Sequence, residues 1–206
     1  RFFRIVPLYM VAVTIYFVAM RVLDHEPAIL YRIWIPYTFL TGWFIFFDGV
    51  DSVPYTITWS LSVEEFSYIL IGLAALLARR SLLTFLIGLS LLSLALRFHF
   101  NLAGHEGIYH FPLTRLDSIG MGGILAWCFG RGFSMFWPVL AATLASLALR
   151  SLGGAFAPTF LYTFVTCLAL LAITVSETWL AGYRGLLAIA YARVGFYSYF
   201  IYLFHF

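Results

Sequence analysis

WSLSVEEFSY, from Trp59 to Tyr68, opens an apolar run that continues to Leu77, and the reading of this stretch decides the fold. The run is long enough for a membrane helix, yet it begins with two adjacent carboxylates, Glu64 and Glu65. On a helix, Ser60, Glu64 and Tyr68 share one face at intervals of four, with Ser67 beside them. A carboxylate inside a bilayer costs roughly 2.5–3.5 kcal/mol on insertion scales unless it is partnered, so it is a functional candidate by default. The competing reading is local: Ser62 with Glu65 three residues on fits a capping box, and acids suit the first turn of a helix. Capping accounts for Glu65. It leaves Glu64, which points with Ser60 and Tyr68 toward the inside of a bundle.

The composition agrees with a membrane setting. Of 206 residues, 63% are hydrophobic and only 10% charged, and mean hydropathy is +0.97. Soluble domains carry about 25% charged residues. The chain therefore reads as one all-α, polytopic transmembrane helix bundle, residues 1–206, with about seven to eight spans. Net charge is only +3 and no basic stripe exists, which argues against a nucleic-acid partner. All twelve basic residues are arginine, and they cluster at the ends of apolar runs, where they set topology. Cys128 and Cys167 both lie in apolar runs and read as packing residues rather than a disulfide.

The spans follow in order. Ile5 to Leu23 is the first, after the basic RFFR start, with Pro7 tolerated in its first turn. Ile29 to Phe47 is the second, bent by Pro36 and Gly42. The turn-rich loop DGVDSVPYTIT (48–58) leads to the third, Trp59 to Leu77, which ends at Arg79–Arg80. Ser81 to Leu96 is the fourth, and Arg97 to Arg115 reads as the longest polar loop. Leu116 to Phe129 is the fifth, with Gly120, Gly122 and Gly123 permitting close helix approach. Phe136 to Leu149 and Pro158 to Val175 are the sixth and seventh, bland and without internal charge. Gly182 to Arg193 reads as an interfacial segment, and an eighth span starts near Val194. The chain opens on Arg1 rather than Met and stops at Phe206 within an apolar segment, so it is expected to be incomplete at both ends. Orientation stays open: if the first two spans both cross, Arg1–Arg4 and Arg79–Arg80 fall on opposite sides, against the positive-inside rule.

Four groups carry candidate chemistry. Arg1 and Arg4, three apart, fit either a clamp for an anionic ligand or plain topological anchoring. Glu64 is the second. Arg115 and Asp117 are the third; two apart, they do not face each other on a helix, and each needs a partner elsewhere, Glu64 being one for Arg115. An interfacial salt bridge is the competing reading. Ser198, Tyr202 and His205 are the fourth, on one face by their spacing of four and three. His205 fits a general base or a helix-packing hydrogen bond. His105 and His110, five apart in a glycine-containing loop, do not match the four-residue spacing of a zinc helix, and no metal site is expected.

These residues resemble the acyltransferase-3 family of integral-membrane O-acyltransferases. RFFRIVPLY resembles its "RRxxRIxPxY" entry at Arg4 and Pro7. WSLSVEEFSY is similar to "WSLSVEEQFYL", with Trp59, Ser60, Leu61 and Glu64 at the hallmark positions. YSYFIYLFHF looks like "SYxxYLxH" at Ser198, Tyr199, Tyr202, Leu203 and His205, and "RLDxLLxG" lands on Arg115, Asp117 and Gly122. Phe66 and Ser67 depart from the family's Gln-Phe, and two family spans that precede these motifs, the first bearing a His often taken as base, have no counterpart here. The resemblance implies a multi-pass enzyme of the bacterial cytoplasmic membrane. It would move an acyl group, most often acetyl, from acyl-CoA as co-substrate to a carbohydrate hydroxyl, among membrane lipids. It implies Glu64 and His205 as catalytic groups, and Arg4, Trp59, Ser60, Arg115, Asp117 and Tyr202 as substrate-binding ones. A glycan or small-solute transporter or flippase is the alternative for a polar face inside a bundle, and an inactive scaffold is a third.

Overall fold

The computed structural model describes residues 2–23, 31–77 and 81–179, and every regular element among them is helical. The helices are α1 (Phe2–Val22), α2 (Trp34–Tyr37), α3 (Thr41–Asp48), α4 (Trp59–Leu77), α5 (Leu82–Leu102), α6 (Leu116–Phe129), α7 (Phe136–Ser151) and α8 (Phe156–Trp179). Short 3₁₀ turns occupy Val50–Ser52, Thr56–Thr58 and Pro112–Arg115. The interfacial segment 182–193 and the eighth span lie outside the described residues.

Three helices are long and apolar enough to cross a bilayer: Thr56–Leu76, Leu82–Leu102 and Phe156–Thr178. Val6–Val22 and Phe136–Ser151 are shorter apolar helices. Large apolar side chains face outward along the long helices, including Leu76 on α4, Leu91 on α5 and Val165 on α8. Such a surface is poorly suited to water and ordinary in lipid, so the fold is consistent with a membrane protein.

The expected second span is not one. Residues 31–48 form a short turn, the four-residue α2 and the eight-residue α3. At about 1.5 Å per residue, α3 covers about 12 Å of a hydrocarbon core about 30 Å thick. Between the two helices Phe39 adopts φ 59°, a left-handed conformation that ends the first helix. The broken backbone is bonded by side chains instead. Tyr9 Oη donates to the Pro36 carbonyl at 2.6 Å, Thr38 Oγ1 donates to Trp34 and Ile35 carbonyls, and the Gly42 N–H donates to Ser62 Oγ at 3.2 Å. Irregular backbone at membrane depth survives where protein groups satisfy it in this way. The segment lies beside the middle of α1: Phe39 stacks on Tyr9 and Tyr55 on Tyr16. Tyr9, Ala12, Val13, Tyr55 and Leu61 form the core between them.

Two further expectations are corrected. Helix α4 starts at Trp59, so Ser62 sits inside it and bonds Gly42 rather than capping; the capping box does not form. Helix α5 runs past Leu96 to Leu102, so Arg97 is helical and buried rather than in a loop. No breaker interrupts the sequence before Ala103, and Gly104 at φ 66° then turns the chain. The glycines of α6 behave as small residues are expected to in two of three cases. A Cβ on Gly123 would sit 3.0 Å from Leu86 of α5, and one on Gly120 would strike Ser90 and Leu86, whereas Gly122 faces open space.

Candidate functional site

One end of the bundle gathers the polar groups: the head of α4, the tail of α5, the turn Pro112–Arg115 with the head of α6, and the head of α8. Arg97, at the tail of α5, is fully buried. Its five N–H donors are all used. Nε and Nη2 donate to the Thr114 carbonyl, Nη2 to Asp117 Oδ1 at 2.6 Å, and Nη1 to the Thr159 carbonyl and Thr163 Oγ1, both at 3.1 Å. Asp117 also accepts from Thr163 Oγ1 at 3.3 Å and from Ser93 Oγ at 3.5 Å. It is 2% exposed. Its carboxylate is thus committed to Arg97, which makes it a clasp between α5, α6 and α8 rather than a group turned toward a ligand. Ser118 and Thr166 extend the polar contact between α6 and α8 by a 2.8 Å hydroxyl pair.

Arg115 contrasts with Arg97 in burial and in hydrogen bonding. It is half-buried, and its guanidinium lies 4.8 Å from the Tyr109 ring centroid, 5.0 Å from Tyr162 and 5.8 Å from Trp59. Among the described residues it has no hydrogen-bond or ion-pair partner. The two ion pairs there are Arg32–Asp48 and Arg97–Asp117, so Glu64, one partner the sequence allowed for Arg115, is not paired with it. Burial, and next the charge of Arg97, push the Arg115 pKa down from its ordinary value. Aromatic faces return about 0.5–2 kcal/mol to such a cation and use none of its N–H donors. The N–H edges therefore remain able to take an acceptor.

His110 stands next to this cage. Its ring meets Trp59 edge-on at 5.3 Å and Tyr109 at 5.1 Å, the same two rings that flank Arg115. Its Nδ1 is buried without a hydrogen-bond partner. Burial first, and the Arg115 charge second, hold His110 below its ordinary pKa. The loop is pinned from the other side: Phe46 of α3 stacks between His105 (4.2 Å) and Phe111 (4.0 Å). Gly42 closes it, since a Cβ there would sit 2.5 Å from the His110 carbonyl and 3.3 Å from Pro112.

The remaining candidates divide. Ser60, Glu64 and Tyr68 are half-buried and share a face at the head of α4, as their spacing requires, and each makes contacts within the chain. Trp59 belongs to the Arg115 cage. Arg4 falls in the first turns of α1, and its side chain lies outside the described residues, as do Ser198, Tyr202 and His205. No group of three metal-ligating side chains occurs among the described residues. Sequence reading missed Arg97, His110, Tyr109 and the α8 residues Thr159, Tyr162 and Thr163. The signal for α8 was present: Thr159, Thr163 and Thr166 recur at helical spacing in an otherwise apolar run. No family model matches this chain, and neither does any curated protein or solved structure.

Proposed function

We propose that this chain is part of a membrane O-acyltransferase that moves an acyl group, acetyl by preference, from acyl-CoA to a carbohydrate hydroxyl at the bacterial cytoplasmic membrane. The observation that supports the reading is the cation Arg115, without an acceptor among the described residues, in its aromatic cage beside the head of the helix that bears Glu64. A sugar hydroxyl is a poor nucleophile and needs a proton acceptor. The thioester oxygen gains negative charge and needs a positioned donor or cation. In this reading Glu64 orients the base or the acceptor hydroxyl, Arg115 meets developing or resident negative charge, and His205 and Tyr202 complete the cavity. In this reading the bundle has about seven spans, and α4, α5 and α8 are the ones long and apolar enough to cross by themselves.

Topology supports a division of labour. With residues 31–48 too short to cross, α1 is the single passage between Arg4 and Trp59. The Arg4 end of α1 and the Leu77 end of α4 then share one side, and the arginines that the sequence places next to both ends make that side cytoplasmic by the positive-inside rule. The Trp59–Arg115 end faces outward. The acyl donor enters at the Arg4 side and the acceptor at the Arg115 side.

The test is acyl transfer by the full-length protein reconstituted in liposomes. Glu64→Gln loses transfer from acetyl-CoA to a carbohydrate acceptor and stays folded; wild-type turnover in that variant would reduce Glu64 to a structural role. Glycan counterflow without any acyl donor would favour a flippase instead.

A further inference from the structure

We infer that Arg115 and His110, held in the box of Trp59, Tyr109 and Tyr162, form a binding site for an oxyanion, a phosphate or carboxylate group carried by the molecule that enters at this end of the bundle. The inference rests on the reading above only for the identity of that molecule. The site itself rests on a comparison within the fold. Two arginines share Tyr162, whose ring centroid is 5.5 Å from the Arg97 guanidinium and 5.0 Å from that of Arg115. Arg97 is saturated by five hydrogen bonds to four protein acceptors and holds helices together. Arg115 has three ring centroids 4.8–5.8 Å from its guanidinium carbon and no hydrogen-bond acceptor among the described residues. Rings attract a guanidinium through its charge and occupy none of its N–H donors, and its planar fork matches two oxygens of a carboxylate or phosphate.

His110 supplies the second point. Its Nδ1 is a buried polar atom without a partner, on a ring that shares Trp59 and Tyr109 with Arg115. A buried polar atom left unpaired is costly, and a ligand group that reaches it relieves that cost. An oxyanion that takes the Arg115 fork on one side accepts an N–H from His110 on the other. Gly42 and the Phe46 stack fix the loop backbone, so both groups are held in place before any ligand arrives.

Thermal unfolding of the full-length protein in nanodiscs tests this. Inorganic phosphate and glucuronate are titrated as soluble probes, and phosphatidic acid replaces phosphatidylcholine as the membrane-borne one. Wild type gains several degrees in Tm with at least one of the three, as binding to the folded state requires. A response to phosphatidic acid alone assigns the anion to a lipid headgroup, and a response to phosphate or glucuronate assigns it to a soluble group. Arg115→Met keeps the apolar stem and weakens the response about tenfold or more, with unliganded Tm unchanged or higher because an unpaired cation has been removed. His110→Phe keeps the ring contacts and weakens it too. No response in wild type, or an undiminished response in Arg115→Met, overturns the site. A lower unliganded Tm in Arg115→Met together with no wild-type response assigns Arg115 to packing. An intact anion response in a protein that fails to transfer acetyl groups would sink the acyltransferase reading and leave the site standing.

Discussion

Arg97 Nη2 lies 2.6 Å from Asp117 Oδ1, and both side chains are almost wholly buried, at 1% and 3% exposure. The pair joins α5 to α6, and through Thr159 and Thr163 it ties both to α8. Breaking a buried pair by removing one partner costs about 3–5 kcal/mol, whereas replacing both with apolar groups is often neutral. Asp117→Asn and Arg97→Met should each destabilise the protein by about that amount, and the double variant Arg97→Met/Asp117→Leu should recover most of it. Thermal unfolding in detergent distinguishes these outcomes. Equal losses in single and double variants would mean that the pair does not act as a unit.

Gly42 tests the link between fold and site. A methyl group there meets the His110 carbonyl, which is backbone and cannot swing aside. Gly42→Ala should cost about 1–3 kcal/mol by overpacking and should displace the loop that carries His110 and Arg115. The oxyanion-induced rise in Tm is expected to shrink in the variant. A full response would show that the loop tolerates the shift.

The pH dependence follows from His110. Its folded pKa lies below the ordinary value of 6.5. Between the folded value and about 6.5 the unfolded chain binds more protons, so stability rises with pH across that window and falls on acidification. Wild type should lose stability as pH drops through about 6.5, with the loss levelling off below the folded pKa. His110→Phe should lack that component. Arg115 stays cationic throughout, so it adds no titration of its own. Superimposable pH profiles for the two proteins would exclude His110 as the source.

Single cysteines, introduced after Cys128 and Cys167 are replaced by Ser, test the topology. Asp51 and Ser81 are both exposed and flank α4 at opposite ends. Asp51→Cys and Glu106→Cys should react with an impermeant maleimide from the outer side, and Ser81→Cys only from the inner side. Labelling of Asp51→Cys and Ser81→Cys from the same side would remove α4 as a crossing.

Two helices were legible to the residue because turn-forming residues bound their apolar runs: Trp59–Leu77 matches its sequence-expected bounds, and so does Leu116–Phe129. The segment 31–48 was misread because its apolarity resembles a span. Its apolar side chains instead pack into the protein: Ile35 and Ile45, with Val53 from the following loop, make a core against Phe44 and Trp59. The face shared by Ser60, Glu64 and Tyr68 was readable from spacing alone. The Arg115 cage was not. Its rings come from Trp59, Tyr109 and Tyr162, three positions on separate elements that only the tertiary fold brings together. Arg97 was invisible as a structural residue for the same reason, since its partners lie 17 to 66 residues downstream.

The hydrogen bonds of residues 31–48 carry a consequence for biogenesis. Thr41 pairs with Thr58, and the Gly42 N–H needs Ser62. A chain that emerges from its N-terminus reaches this segment before either partner exists. The segment's first half already has partners, in Tyr9 of α1 and in its own Thr38. Only the start of α3 depends on residues still to come, so its docking is completed when the head of α4 arrives.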